Sequence, residues 1–282
     1  MTVQSVGVIG SGQMGNGIAQ VAACSGMDVI MVDIKEELLE KGISTISNSM
    51  DKLASKGRFT QDEASSALSR ISTSVSMEEL SECDLVVEAI PEIPELKFST
   101  FRELDSICKP GAILASNTSS ISINEIASHT RRADRVIGMH FMNPVPIMKL
   151  VEIINGDETS EEVTSEVISA SEEMGKIPLS CMDSPGFVSN RILMPMINEA
   201  ILTLQEGVAE PDAIDGIMKL GMNHPIGPLA LADLIGLDTV MHILKVLQEG
   251  MEDVKYAPAD LLVDKVSKGE LGRKSGKGFY DY

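Results

Sequence analysis

A parallel α/β sheet wound on both faces, followed by a smaller all-α domain, is the architecture this sequence predicts. Three observations predict it. Short β-branched runs recur between longer helical stretches through the first two thirds of the chain. A glycine triplet follows the first of those runs. After Asp183 strand-like runs almost cease and helical apolar spacing takes over. Strands that are apolar throughout, instead of alternating, belong to a sheet covered by helices on both faces, and that is a parallel α/β arrangement.

The first strand is expected over 5–10, SVGVIG, and the glycines that close it open a helix ending near Gly26. DVIMVDI (28–34) is the second strand, and SNSMDKLASKGRF (47–59) reads as helical. DLVVEAI (84–90), AILASNT (112–118), RVIGMHF (135–141) and IPLSCMD (177–183) are further strands. The stretch GMHFMNPVPIMKLVEIING (138–156) is apolar enough to be a pair of buried strands, broken at Pro144 and Pro146. Helices are expected over NRILMPMINEAILTLQEG (190–207), PDAIDGIMKLG (211–221) and GLDTVMHILKVLQEGM (236–251). The turn-forming DSPG between the two textures puts the domain boundary near 183–186, giving a first domain over 1–184 and a second over 185–282. Helices this rich in Leu, Ile and Met need a surface to pack on. The second domain is therefore the expected home of a homodimer interface, and of part of the substrate site.

At 282 residues the chain exceeds the usual single-domain size, and 43% hydrophobic with 23% charged residues is an ordinary globular composition. The net charge of −19 argues against nucleic acid or an anionic membrane as a partner. Any anion has to be held by a local basic patch working against that field. Four cysteines, Cys24, Cys83, Cys108 and Cys181, have no C-x-x-C spacing and no metal pattern, and read as reduced core thiols. The start MTVQSVGVIGSG lacks a basic segment followed by a long apolar run, and no apolar stretch reaches the ~18 residues of a membrane span. The expectation is a soluble, cytoplasmic protein without a metal.

The glycine triplet is Gly10, Gly12 and Gly15 in GVIGSGQMGNGIA, the spacing G-x-G-x-x-G. Alone that spacing is weak. Here it follows a strand, opens a helix, and is succeeded by a second strand whose end carries Asp33, 21 residues after Gly12. This is the fingerprint of a Rossmann-type dinucleotide site. Gly10 permits the tight turn, Gly12 lets a pyrophosphate reach the backbone, and Gly15 lets helix and strand pack closely. The loop Gly10, Ser11, Gly12, Gln13, Met14 and Gly15 is thus expected to hold the cofactor phosphates at the positive end of the helix. Asp33 would accept the ribose hydroxyls and repel a 2′-phosphate, which favours NAD over NADP. Lys35, close behind, is the cation that could compete with that preference.

The stretch 138–156 also holds His140, Asn143, Lys149 and Glu152 in or beside its strands. Burying a polar side chain costs roughly 2–7 kcal/mol unless it is paired. A histidine whose tautomer is fixed by a carboxylate can serve as an acid/base near neutral pH. A bare His–Glu pair is nonetheless often only structural, and the surrounding sequence is what shifts the balance.

That sequence resembles the L-3-hydroxyacyl-CoA dehydrogenase family, most closely its short bacterial and archaeal 3-hydroxybutyryl-CoA type. The resemblance runs over nearly the whole chain, in GVIGSGQMG, DLVVEAIPE, SNTSSISI, GMHFMNPVPIMKLVEII, DSPGFVSNRIL, GPLALADLIGLDT and GRKSGKGFYDY. It implies an NAD-dependent enzyme interconverting an (S)-3-hydroxyacyl-CoA and the 3-ketoacyl-CoA, with a histidine base at His140 and its glutamate partner at Glu152. It places Ser119 and Asn190 to hydrogen-bond the reacting oxygen or the thioester carbonyl. Around the cofactor it implicates Glu92, Lys97, Asn117, Ser119, Asn143 and Lys274, although a solvated tail lysine is nearly as good a reading of Lys274. Two other readings stay open: a dehydrogenase of a free 3-hydroxy acid, and a cofactor-binding relative without catalysis.

The remaining basic cluster is Lys52 and Lys56, at i, i+4 on a helical stretch, with Arg58 just beyond. Like charges at that spacing cost roughly 0.2–0.5 kcal/mol unless an anion lies between them. By itself such a pair is better read as a solvated surface. The resemblance supports Lys56, with Ser49 and Lys52 nearby, and together with Ser119 these form the expected binding set for coenzyme A.

Overall fold

The computed structural model describes residues 3–282, which divide after Asp183 into two units. The first unit runs β1 (Ser5–Ile9), α1 (Gln13–Cys24), β2 (Asp28–Val32), α2 (Glu36–Ser55), α3 (Gln61–Leu68) and β3 (Ile71–Ser74). It continues with β4 (Leu85–Glu88), α4 (Pro94–Ile107), β5 (Ile113–Ser116), α5 (Ile123–Ser128), β6 (Val136–Phe141), β7 (Leu150–Asn155), α6 (Glu161–Glu173) and β8 (Ile177–Met182). The second unit holds α7 (Ser189–Gln205), α8 (Pro211–Gly221), α9 (Pro228–Ile235), α10 (Leu237–Met251) and α11 (Asp260–Ser267).

The strands form one sheet in the order β3-β2-β1-β4-β5-β6-β7-β8. From β1 the chain winds outward through β2 and β3, then returns to β4 and winds the other way. The crevice where the winding reverses, beyond the carboxyl ends of β1 and β4, is where doubly wound sheets bind their ligands. Val6, Val8, Leu85, Val86, Val87, Leu114 and Ile137 are all fully buried, each contributing roughly 1.5–3 kcal/mol by leaving water. Asp84, at the entry to β4, accepts from the N–H groups of Gln4 and Ser5 and from Lys109 Nζ at 2.7 Å. Burial alone would raise its carboxyl, but these donors hold it down at about 2.

The structure departs from the sequence reading in three places. Ile71–Ser74 forms β3, a strand the reading leaves unassigned because ISTS is short and polar; its pairing with Val29–Val32 of β2 makes it one. β7 runs antiparallel to β6, so the sheet is mixed. The connection 142–149 is far shorter than the dozen or more residues a parallel crossover needs. And β8, at the sheet edge, leaves Ile177, Leu179 and Met182 exposed, where a strand covered on both faces was expected.

In the second unit two buried aspartates secure the last residues. Asp215 accepts from the N–H groups of Leu229 and Ala230 and from the Tyr280 hydroxyl at 3.0 Å. Asp233 accepts from the N–H groups of Phe279 and Tyr280 and from the Tyr282 hydroxyl. The core of this unit is built from Met194, Ile197, Ile201, Leu229, Val240, Leu244 and Leu247.

Candidate active site

The loop after β1 is shaped by its glycines. Gly10 adopts φ +94°, and a Cβ there would lie 2.7 Å from the Ala89 carbonyl oxygen beyond β4. A Cβ at Gly15 would lie 1.7 Å from Gly10 O, so helix and loop meet backbone to backbone. A Cβ at Gly12 would meet nothing within 4 Å. The start of α1 has no acidic residue in its first turn and no side-chain cap, whereas α2 and α6 open on glutamates. An uncapped helix start behind an open glycine backbone is the geometry a pyrophosphate requires. The residues present therefore fit a dinucleotide.

Asp33 follows β2, and its Oδ2 accepts from both Ser11 N and Ser11 Oγ at 2.7 Å, while Oδ1 accepts from Ile34 N at 2.7 Å. Its carboxylate is tied to the glycine loop, with lone-pair capacity remaining on Oδ1 for a further donor. Gly42 of α2 packs closely on Ser11, and so α2 abuts the same loop.

A second cluster forms beyond β4 and β5. Glu92 Oε1 accepts from Thr118 Oγ1 at 2.6 Å, from Ser119 N at 2.9 Å and from the N–H and hydroxyl of Ser120. Burial would raise this carboxyl, but the Lys97 ammonium at 3.3 Å and these hydrogen bonds leave it below the ordinary glutamate value. Lys97 itself is 1% exposed, with Nζ 2.5 Å from Glu88 Oε1. Glu88 in turn accepts from Ser116 Oγ at 2.6 Å and Ile90 N at 2.8 Å. Asn117 accepts from Phe141 N at 3.0 Å, which fastens the end of β5 beside His140.

His140 and Glu152 stand directly opposite each other in the β6–β7 register. Nδ1 lies 2.8 Å from Glu152 Oε2, and the residues are 9% and 4% exposed. Antiparallel pairing of a two-stranded turn is what brings residues 12 apart in sequence face to face. Asn143, just beyond β6, accepts from Gln13 Nε2 at 3.1 Å and so links the His140 loop to the phosphate cradle. Lys149 is exposed.

Of the expected residues, the structure joins the glycine loop, Asp33, Asn143, Asn117, Ser119, Glu92, Lys97, His140 and Glu152 through the first unit's hydrogen bonds. Lys52, Lys56 and Arg58 are exposed at and just past the end of α2, with Ser49 half-buried one turn earlier. Asn190 is buried in the first turn of α7, its N–H donating to Gly186 O at 3.1 Å. Lys274 pairs with Asp238 at 2.5 Å within the second unit. The sequence reading missed Glu88, Ser116 and Thr118. The one signal for them was a carboxylate inside the apolar run DLVVEAI, which strand patterning absorbs without asking what it binds.

Residues 5–184 match the family described as 3-hydroxyacyl-CoA dehydrogenase, NAD binding domain, and residues 186–282 match its C-terminal domain. The chain is 57% identical over 276 residues to a "Probable 3-hydroxybutyryl-CoA dehydrogenase" of Deinococcus radiodurans, covering 98% of this chain and 99% of that one. It is 54% identical to a protein of the same name from Bacillus subtilis, over 100% of this chain and 98% of that one. The crystal structure of an (S)-3-hydroxybutyryl-CoA dehydrogenase from Ralstonia eutropha superimposes with a TM-score of 0.98 at 50% identity, covering 100% and 99% of the two chains.

Proposed function

The chain belongs to the 3-hydroxyacyl-CoA dehydrogenase family and is an NAD-dependent oxidoreductase of 3-hydroxyacyl-CoA thioesters; from that premise we propose that His140 is its acid/base and that (S)-3-hydroxybutyryl-CoA and acetoacetyl-CoA are its substrate pair. The observation that carries the acid/base assignment is the buried His140–Glu152 pair at 2.8 Å. With Nδ1 held by the carboxylate, the proton exchanged with substrate passes at Nε2. NAD, when bound, supplies the hydride acceptor for oxidation at C3 and, reduced, the hydride donor in the reverse direction. In oxidation His140 takes the C3 hydroxyl proton, and Glu152 balances the imidazolium that results. In reduction the imidazolium returns that proton to the oxygen. Ser119, on the loop that Glu92 organises, is assigned a hydrogen bond to the reacting oxygen or the thioester carbonyl. The substrate pair is assigned from the names of relatives that align with nearly the whole chain.

General base catalysis by a positioned histidine is worth about 10²–10⁴ in rate. His140→Gln is therefore expected to lose that factor in kcat for NADH-driven reduction of acetoacetyl-CoA, with NADH affinity unchanged. Glu152→Gln is expected to lose most activity as well, with a displaced pH profile. Near-normal turnover of His140→Gln would refute the assignment, and an unchanged profile for Glu152→Gln would reduce the carboxylate to a structural partner. Free acetoacetate in the same assay tests the substrate, since efficient turnover of the free acid would contradict a thioester enzyme.

The same reading gives Lys52 and Lys56 the phosphates of coenzyme A and gives the second unit a homodimer interface. What supports the first is an exposed basic pair on a chain of charge −19, and what supports the second is a set of exposed apolar side chains on α7 and α8.

A further inference from the structure

The loop 142–149 joins the strands that carry His140 and Glu152, and groups outside it set its course. Pro144 and Pro146 have no N–H, and the turn closes with Ile147 N and Met148 N donating to Pro144 O at 3.0 and 2.9 Å. The carbonyls of Val145 and Met148 are taken by one donor from elsewhere in the unit, the Nζ of Lys176, which lies 2.9 Å from Met148 O and bonds Val145 O as well.

Lys176 is 8% exposed and follows the glycine that ends α6. Gly175 has φ +70°, Lys176 N donates to Ser171 O at 3.0 Å, and Ile177 N donates to Lys149 O at 2.8 Å. The backbone of Lys176 is thus fixed on both sides, and its side chain reaches beneath the loop. Burial holds the ammonium below its ordinary value. Both acceptors are main-chain carbonyls, so the cost of burying this charge is met by hydrogen bonds to the loop, where an apolar residue would fill the space at no such cost. From the other side the loop rests on α1. A Cβ at Gly17 would lie 2.7 Å from Val145 Cβ, and Asn143 Oδ1 accepts from Gln13 Nε2.

We infer that Lys176 is a positioning residue for the reaction: its ammonium clamps the loop against the phosphate-binding helix and so fixes His140 relative to the bound cofactor. The inference rests on His140 being the acid/base. Lys176 acts through the loop and contacts neither substrate nor cofactor.

A displacement of about 1 Å in a reacting group can cost on the order of 10²-fold in rate. Lys176→Met, which fills the same space without donors, is expected to lower kcat by roughly ten- to a hundredfold for acetoacetyl-CoA reduction, with the Kd for NADH changed far less. Lys176→Arg keeps donors and is expected to recover part of the rate. In a His140→Gln background the same Lys176→Met change is expected to cost little more, because the group it positions is gone and neighbouring effects of this kind are not additive. A melting temperature lowered by Lys176→Met with kcat intact would overturn the inference and leave only a structural lysine. So would a full additional loss in the His140→Gln background. If Lys176→Met does not fold, Lys176→Gln, which keeps an amide donor, is judged by the same kcat and double-variant criteria. The two readings fail separately. An active His140→Gln refutes the acid/base assignment and this inference with it, whereas an inactive His140→Gln beside a fully active Lys176→Met refutes the inference alone.

Discussion

Gly12 and Gly15 stand three positions apart in the same loop, and an added methyl group means opposite things at each. At Gly15 it meets the Gly10 carbonyl oxygen at 1.7 Å, a backbone atom that cannot turn aside. At Gly12 it meets open space, with φ −63°, a value any residue adopts. Overpacking of the first kind typically costs about 1–3 kcal/mol. Gly15→Ala is accordingly expected to lower the melting temperature of the free enzyme measurably. Gly12→Ala is expected to leave it unchanged while weakening NADH about tenfold or more, near 1.4 kcal/mol, as titration of NADH fluorescence would measure. Equal binding by Gly12→Ala and the parent enzyme would mean that the space over Gly12 is not where the cofactor lies. Asp33 shows the same economy of placement, since the carboxylate assigned to the ribose also braces Ser11 of the loop.

At the scale of the element, α2 carries two roles at opposite ends. Near its start it abuts the cradle through Gly42, and its last turn carries Lys52, with Lys56 as C-cap. A cation in the last turn interacts favourably with the helix dipole, typically by about 0.3–1 kcal/mol, which gives Lys52 a structural reason to exist. The coenzyme A assignment therefore needs an experiment that separates the two reasons. Lys52→Ala with Lys56→Ala is expected to raise KM for acetoacetyl-CoA and leave NADH binding alone. Binding energy from a remote group can also position the reacting carbon, so kcat is expected to fall as well. Acetoacetyl-N-acetylcysteamine, which lacks every phosphate, should be handled equally by both enzymes. A loss just as large with the truncated thioester would show that the lysines act through the helix.

For the molecule as a whole the question is assembly. Ile217 and Leu220 on α8 are 61% and 91% exposed, and Met222 just beyond, like Val188 and Ile192 at the start of α7, is open to solvent as well. Each copy carries −19, so association of two has to be led by apolar contact against mutual repulsion. Sedimentation of the purified protein is expected to give a dimer, and Ile217→Glu with Leu220→Glu is expected to give a monomer of unchanged helix content. A monomeric parent, or a variant that still sediments as a dimer, would remove the second unit as the interface.

Several features of this protein are already determined along the chain. The apolar runs that became β1, β2, β4, β5 and β6 are legible because a strand buried on both faces must be apolar at every position. The helices of the second unit are legible from their spacing, and the cofactor loop from three glycines in G-x-G-x-x-G spacing, of which Gly10 takes a positive φ and Gly15 leaves no room for a side chain. What lay outside the sequence is what depends on a neighbour. Ile71–Ser74 is a strand only because β2 offers it a partner, and β7 turns antiparallel because the loop before it is too short to cross over. The roles of Glu88 and Lys176 were invisible for the same reason. A carboxylate in an apolar run and a lysine after a helix-ending glycine acquire meaning only from the Lys97 ammonium and the loop carbonyls that they meet in space. That His140 faces Glu152 at 2.8 Å, and not across a register slipped by one, was decided by the pairing of two strands, since a one-residue slip would turn one of them to the other face of the sheet.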